Sequence, residues 1–170
     1  MSDAPTRDAS VVVALDEAHN VAILSADFPA HGGEYVFLPG GRREDDEDAA
    51  NCAKRELKEE AGVTASSFTH LGSYAMTLNS TARIDLFLAR GLTLGPQELT
   101  DGEQDFKLEW WPLDAALASA EQGRFLLPAG PLALLLAARL VSETRELAVD
   151  NTTSDGRRDA LRRCLSSASR

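Results

Sequence analysis

The chain has 170 residues, 44% of them hydrophobic, with 17 basic and 27 acidic side chains, a formal net charge of −10 and a pI near 4.7. That length and apolar content suit a single domain with a real core. The acidity excludes a protein that coats nucleic acid through a basic stripe, and a small phosphorylated ligand fits only if a metal bridges the charges. Of the two cysteines, Cys52 falls in a helical pattern and Cys164 in a polar tail, so no stapled secreted framework is expected. The opening MSDAPTRDAS has no positive region followed by an apolar core, so no export signal is expected. The longest apolar stretch, Phe125 to Ala138, is interrupted by two prolines and a glycine and is too short to span a bilayer. The cytoplasm is the expected location, and neither a membrane nor a nucleic acid polymer is an expected partner.

Val11 to Leu15 and Val21 to Ser25 are β-prone runs around the polar DEAHN and predict a hairpin. Glu34 to Leu38 predicts a strand stopped by Pro39-Gly40-Gly41. Asp48 to Ala61 is rich in helix formers and ends at Gly62, a helix stop. His70 to Thr77 and Arg83 to Ala89 predict two further strands, and Gly91 to Gln104 reads as a loop. Leu108 to Leu113 predicts a strand. DAALASAEQG follows as a short helix with Asp114 as its N-cap. Pro131 to Leu147 predicts a longer helix. Interspersed strands and helices fit an α+β chain with a mixed sheet flanked by helices. Residues 1–9 read as a flexible N-terminus, 10–148 as the domain, and 149–170 as a polar, then basic tail that is a marginal helix or disordered.

On a helical wheel at about 100° per residue, the helix has three faces. Ala50, Ala53, Leu57 and Ala61 form a small apolar face, and Asn51, Lys54 and Lys58 a solvated one. With Arg55 at zero, the third face gathers Glu59, Glu56 and Glu60 at about 40°, 100° and 140°. Like charges at i,i+3 and i,i+4 cost a few tenths of a kcal/mol each. A divalent cation with hard-oxygen preference would neutralise them and keep positions open for phosphates. The planar fork of Arg55 suits the orientation of a carboxylate. The alternative is a solvated acidic face.

The spacing decides between the two. Gly41, Glu47, Arg55-Glu56-Leu57, Glu59-Glu60 and Gly62-Val63 reproduce the complete Nudix box, with seven identities and two apolar positions. A chance match in a chain of this length is about one in ten million at ordinary residue frequencies. The chain resembles the Nudix hydrolases, strongly over these 23 residues and more loosely over about residues 10 to 148.

The resemblance implies an α/β/α sandwich with a loop-helix-loop catalytic element. It implies hydrolysis of a pyrophosphate bond in a nucleoside diphosphate derivative by a water that Mg2+ or Mn2+ activates. Glu56, Glu59 and Glu60 match the metal-binding positions, with the Gly40 backbone beside them. Arg55 matches the arginine that orients the glutamates, Glu47 the loop glutamate, and Gly41 and Gly62 the two ends of the element. Glu59 and Arg55 are expected to be catalytic. In the ADP-ribose pyrophosphatase-like branch a loop before the late strand supplies a glutamate near the metal. Glu103 in TDGEQDF is the first candidate for this base and Asp105 the second, against a merely solvated acidic loop. Cys52 is expected to be a packed residue.

LEWWPLDAAL and the strands around RIDLFLAR resemble the ADP-ribose branch. That branch usually has a proline in the turn after the box, which GSYAMTLNST lacks, and often alanine where Gly40 stands. Markers of the NADH and coenzyme A branches are absent. ADP-ribose or a related nucleoside diphosphate sugar is therefore the favoured substrate, and nucleoside triphosphate sanitation the alternative. A non-catalytic nucleotide-binding regulator is the reading from another class. Tyr35, Phe37 and Arg42 are the expected substrate contacts, with Phe28, Tyr74 and Met76 as further candidates for a base pocket. A homodimer is compatible with the family.

Overall fold

Strand β1 (Ala9–Ala14) is buried at five of its six positions, so it has no solvent face and must sit inside a sheet. The computed structural model, which describes residues 7–146, places it there. The first sheet runs β4–β1–β6–β5, with β4 at Gly40–Arg42, β5 at Val63–Ala75 and β6 at Arg83–Leu94. β1 is antiparallel to β4 and parallel to β6, with Ala9 opposite Ile84 and Ala14 opposite Ala89. This is the mixed sheet. The second sheet is antiparallel and runs β3–β2–β7, with β2 at Asn20–Phe28, β3 at Gly33–Phe37 and β7 at Lys107–Pro112.

The predicted β1–β2 hairpin does not form; a single bridge, Leu15 to Val21, joins the two strands. Both are apolar on both faces, so each takes sheet neighbours on its two edges. The DEAHN turn carries the chain from one sheet to the other. Asp16 accepts from the Asn20 backbone N–H (2.7 Å), and His19 adopts a positive φ of 62°.

Helix α1 (Ala49–Ala61) has the predicted ends. Asp48 is the N-cap and accepts from the Asn51 N–H at 2.8 Å. Gly62 closes the helix in the left-handed region, φ 63°. Ala53, Leu57 and Ala61 pack on Val12, Ala14, Phe87 and Ala89 of the first sheet. Leu57 is fully buried there, and truncating such a leucine to alanine costs about 2–5 kcal/mol. Lys54 and Lys58 face water as predicted.

Strand β5 begins seven residues before its predicted start, and β6 extends four residues into the predicted loop. The polar Thr64–Thr69 half of β5 carries no apolar alternation because it forms a sheet edge. Helix α2 (Leu113–Glu121) is entered from Pro112, so Asp114 lies in its first turn and is not the cap. A third helix, α3, covers 129–146. Its residues to Ala137 belong to the compact unit that holds all the strands. Those from Ala138 belong to a second unit, where Arg139 and Glu143 pair at 3.0 Å. No helix among the described residues is long and apolar enough to cross a membrane. Residues 1–6 and 147–170, which include the whole of the expected tail and Cys164, lie outside the described residues.

Candidate active site

The glutamate face of α1 is not a solvated one. Glu56 and Glu60 are 7% and 4% exposed, among the few buried charged groups of the described residues. Burial pushes the Glu56 carboxyl above its usual range, partly offset by Arg55. It pushes Glu60 up to about 8, with like charge from Glu56, Glu103 and Glu59 adding to the rise.

Arg55 organises the face. Its Nε and one terminal nitrogen donate to the two oxygens of Glu47, each at 2.9 Å, a bidentate pair. Its other terminal nitrogen donates to Glu56 (2.8 Å) and Glu59 (3.2 Å). The terminal nitrogen on Glu47 also donates to the Arg42 carbonyl at 3.0 Å, which ties the helix to the loop before it. Glu47 is held below the usual carboxylate range, chiefly by this arginine. Glu60 points elsewhere and accepts from the Gly40 N–H at 2.8 Å. Gly41 is glycine for space: a Cβ there would lie 2.6 Å from the carboxyl carbon of Glu56.

Cys52 is fully buried, its thiol donates to the Gly41 carbonyl at 3.5 Å, and burial pushes its pKa up to about 11. It is a packed residue, and no thiolate chemistry is available to it near neutral pH.

Glu103 is half-buried in the loop between β6 and β7. Its carboxylate accepts from the Thr100 N–H at 3.0 Å. It lies near enough for its charge to act on Glu56 and Glu60. Asp105, the second candidate, is exposed.

A cleft of about 420 Å³ opens beside these carboxylates. Glu60, Gly40, Gly41 and Arg42 line it, together with Phe28, Phe37 and Phe106. The rings of Phe28 and Phe106 meet Phe37 edge-on, with centroids 5.6 and 4.8 Å away. Of the expected substrate contacts, Phe37 and Arg42 line the cleft and Tyr35 does not. Tyr35 lies two residues further from the box, and its hydroxyl donates to the His31 carbonyl at 3.1 Å. Met76 lines the cleft and Tyr74 does not. Phe106 was not among the expected contacts. Its signal was an aromatic residue three positions after Glu103, in an otherwise polar loop.

A second set of charges braces the loop between β4 and α1. Arg43 pairs with the buried Asp85 and, at 3.2 Å, with Asp8; His70 meets Asp85 at 2.8 Å. Sequence reading gave these residues no role, because Arg43 and Asp85 are 42 positions apart.

Among the described residues no three His, Cys, Asp or Glu side chains converge as a ready-made metal cage. The donor set nevertheless fits a hard divalent cation. Glu56, Glu59, Glu60 and Glu103 supply only carboxylate oxygens, and their mutual repulsion is what a cation relieves.

A family model for the NUDIX domain matches residues 5–128. A CMP-5'-(N-acetyl-N-hydroxy-3-aminopropyl)phosphonate hydrolase of Streptomyces rubellomurinus (strain ATCC 31215) is 35% identical over 130 residues, 75% of this chain and 62% of that protein. An 8-oxo-dGTP diphosphatase of Proteus vulgaris is 35% identical over 63 residues, 37% of this chain and 56% of that protein. The chain thus spans less than two thirds of the length of these curated relatives. A crystal structure of an ADP compounds hydrolase superposes with a TM-score of 0.72 over 82% of this chain and 76% of that one. At 21% identity that likeness is one of fold. The complete box on α1 and the match over most of the described residues agree: the chain belongs to the NUDIX domain family.

Proposed function

We propose that the protein hydrolyses the pyrophosphate bond of a nucleoside diphosphate derivative with Mg2+ or Mn2+, and that ADP-ribose or a related nucleoside diphosphate sugar is the favoured substrate. The observation that carries this reading is the cleft. Its lining combines the buried Glu60 carboxylate, pushed up by burial and neighbouring like charge, with the rings of Phe28, Phe37, Phe106 and Phe125. A nucleotide joined to a second group matches that polarity. The similarity to a hydrolase of a CMP-linked phosphonate, over three quarters of this chain, supports a substrate of that general form.

Glu56, Glu59 and Glu60 are the residues that would hold the cation, with the Gly40 backbone beside Glu60. A bound Mg2+ or Mn2+ supplies charge neutralisation and Lewis acidity toward the phosphate oxygens. Arg55 keeps Glu56 and Glu59 in fixed orientations, so their approach needs no side-chain ordering at the moment of reaction. Glu103 acts as general base and accepts the proton of the attacking water. The apolar walls around Phe37 and Phe106 hold the base and exclude bulk water.

The similarity to an 8-oxo-dGTP diphosphatase keeps nucleoside triphosphates as the second reading, although it covers only 37% of this chain. Chromatography of products from a substrate panel with Mg2+ and Mn2+ separates the two. AMP plus ribose phosphate from ADP-ribose supports the first, and pyrophosphate from a triphosphate the second. Glu59→Gln is expected to lower turnover ~10²–10³-fold with the melting temperature retained, an electrostatic loss of the size typical of such groups. A near-wild-type rate in this variant refutes the metal assignment. Nucleotide binding without turnover of any panel member moves the protein to the regulator class.

A further inference from the structure

A helix leaves its last carbonyl groups without intrahelical partners. At the end of α1, residues 95–98 supply donors to three such carbonyls, two of them on the box glutamates Glu59 and Glu60. The Glu59 carbonyl accepts from the Glu98 N–H at 2.7 Å, and the Gly62 carbonyl from the Gly95 N–H at 2.6 Å. Between them, the Glu60 carbonyl accepts from the side-chain amide of Gln97 at 2.6 Å. The first two contacts use backbone groups and are open to any residue but proline. The third needs a side-chain donor of the right reach, and Gln97, half-buried, supplies it.

This short segment leads directly into the loop that carries Glu103. The loop begins a tight turn in which the Glu103 N–H donates to the Thr100 carbonyl at 3.0 Å. It ends where the Phe106 N–H donates to the Glu103 carbonyl at 2.8 Å and the Phe106 ring packs on Phe37. Glu103 therefore hangs between two anchors. One is the aromatic contact, and the other is the junction of 95–98 with the end of α1.

We propose that Gln97 is a positioning residue: its bond to the Glu60 carbonyl sets where Glu103 stands relative to the box glutamates, and it acts on the reaction through Glu103. The proposal rests on the reading of Glu103 as the general base. It assigns Gln97 no contact with substrate.

The test is a double-mutant cycle on the full chain with Gln97→Met, which keeps length and removes the donor, and Glu103→Gln. Misplacing a catalytic group by about 1 Å costs up to ~10²-fold. Gln97→Met is thus expected to lower kcat about 10-fold or more, with KM within about 2-fold. In the Glu103→Gln background the same substitution is expected to cost less than about 2-fold, because the group it positions is already gone. Hydrogen exchange on the metal-free protein supplies a readout independent of turnover: amides of 98–106 exchange faster in Gln97→Met, and those of 49–58 do not. An unchanged kcat in Gln97→Met overturns the proposal. So does a loss that persists in full in the double variant, since Gln97 would then act on α1 itself. If Glu103→Gln alone retains full activity, the assignment of the base fails and the proposal falls with it. If Glu103→Gln is impaired and Gln97→Met is not, only the proposal fails.

Discussion

Replacing Gly62 with alanine separates two costs that glycines at helix ends usually combine. The first is the left-handed backbone at φ 63°, which costs a residue with a Cβ about 1–2 kcal/mol. The second is contact. A Cβ on Gly62 would stand 2.6 Å from the Pro96 carbonyl carbon and 2.7 Å from its oxygen, and closer still to the Gly95 oxygen. These are backbone atoms, so residues 95–96 must retreat by about 1 Å or more to reach ordinary contact near 3.4–4 Å. A retreat of that size stretches the three bonds that reach Glu59, Glu60 and Gly62 from this segment past hydrogen-bond length. At about 1 kcal/mol net each, losing most of them brings the total to about 3 kcal/mol or more. Gly123 is the internal control. It has φ 71° and nothing within 4 Å of an added Cβ, so Gly123→Ala should cost only the backbone part, about 1 kcal/mol. Urea titrations of both variants measure the difference, provided the m-values match the wild type. Equal losses in the two would refute the close approach of 95–96 to the end of α1. Turnover gives a second check, since Gly62→Ala should also impair catalysis and Gly123→Ala should not.

Arg55→Lys should lower kcat about 10²-fold, because one ammonium cannot span Glu47, Glu56 and Glu59 together; steady-state kinetics showing more than about a third of wild-type kcat would contradict this. In EDTA, stability should fall as pH rises from about 5 to 9. Glu60 is raised from 4.5 to about 8 by burial, so its favourable contribution is complete below its unfolded pKa and is lost as pH climbs through the folded one. At about 1.4 kcal/mol per unit the ceiling on that loss is about 5 kcal/mol. Urea midpoints across this range should flatten in Glu60→Gln, and an identical slope in the two proteins would count against a buried, strained carboxylate.

Helix α1 was legible because its information is local. Asp48 caps it, Gly62 ends it, and the box spacing puts Arg55 among the glutamates without reference to any distant residue. The sheets were legible as strands, except for β4, which forms at the Gly40-Gly41 read as a stop, but not as partners. β1 and β2 are adjacent in sequence and belong to different sheets, because a strand that is apolar on both faces does not announce which neighbours it takes. The start of β5 was hidden for the opposite reason: an edge strand half in water tolerates the Thr, Ala and Ser that read as loop. In the site, Phe37 and Arg42 line the cleft and Tyr35, two residues before Phe37 on the same strand, does not. Gln97 and the Arg43–Asp85 pair were not readable. Each acts across more than thirty residues of chain, on a carbonyl or a carboxylate that no local pattern marks.

The β5–β6 hairpin works as a ruler. Its register begins with Val63 opposite Leu94, one step beyond the contact between Gly62 and Gly95, and ends with Ala75 opposite Arg83. The box carboxylates lie before the hairpin and Gln97, Glu103 and Phe106 after it, so the two parts of the site meet only at the length this ladder dictates. The register shift between His70 and Gly72 is part of that length. A residue added at the exposed tip near Leu78 leaves the ladder untouched. A residue added within either arm slides the second part of the site along the first by about 3.4 Å. The tip can therefore change in length without moving the site, and the arms cannot.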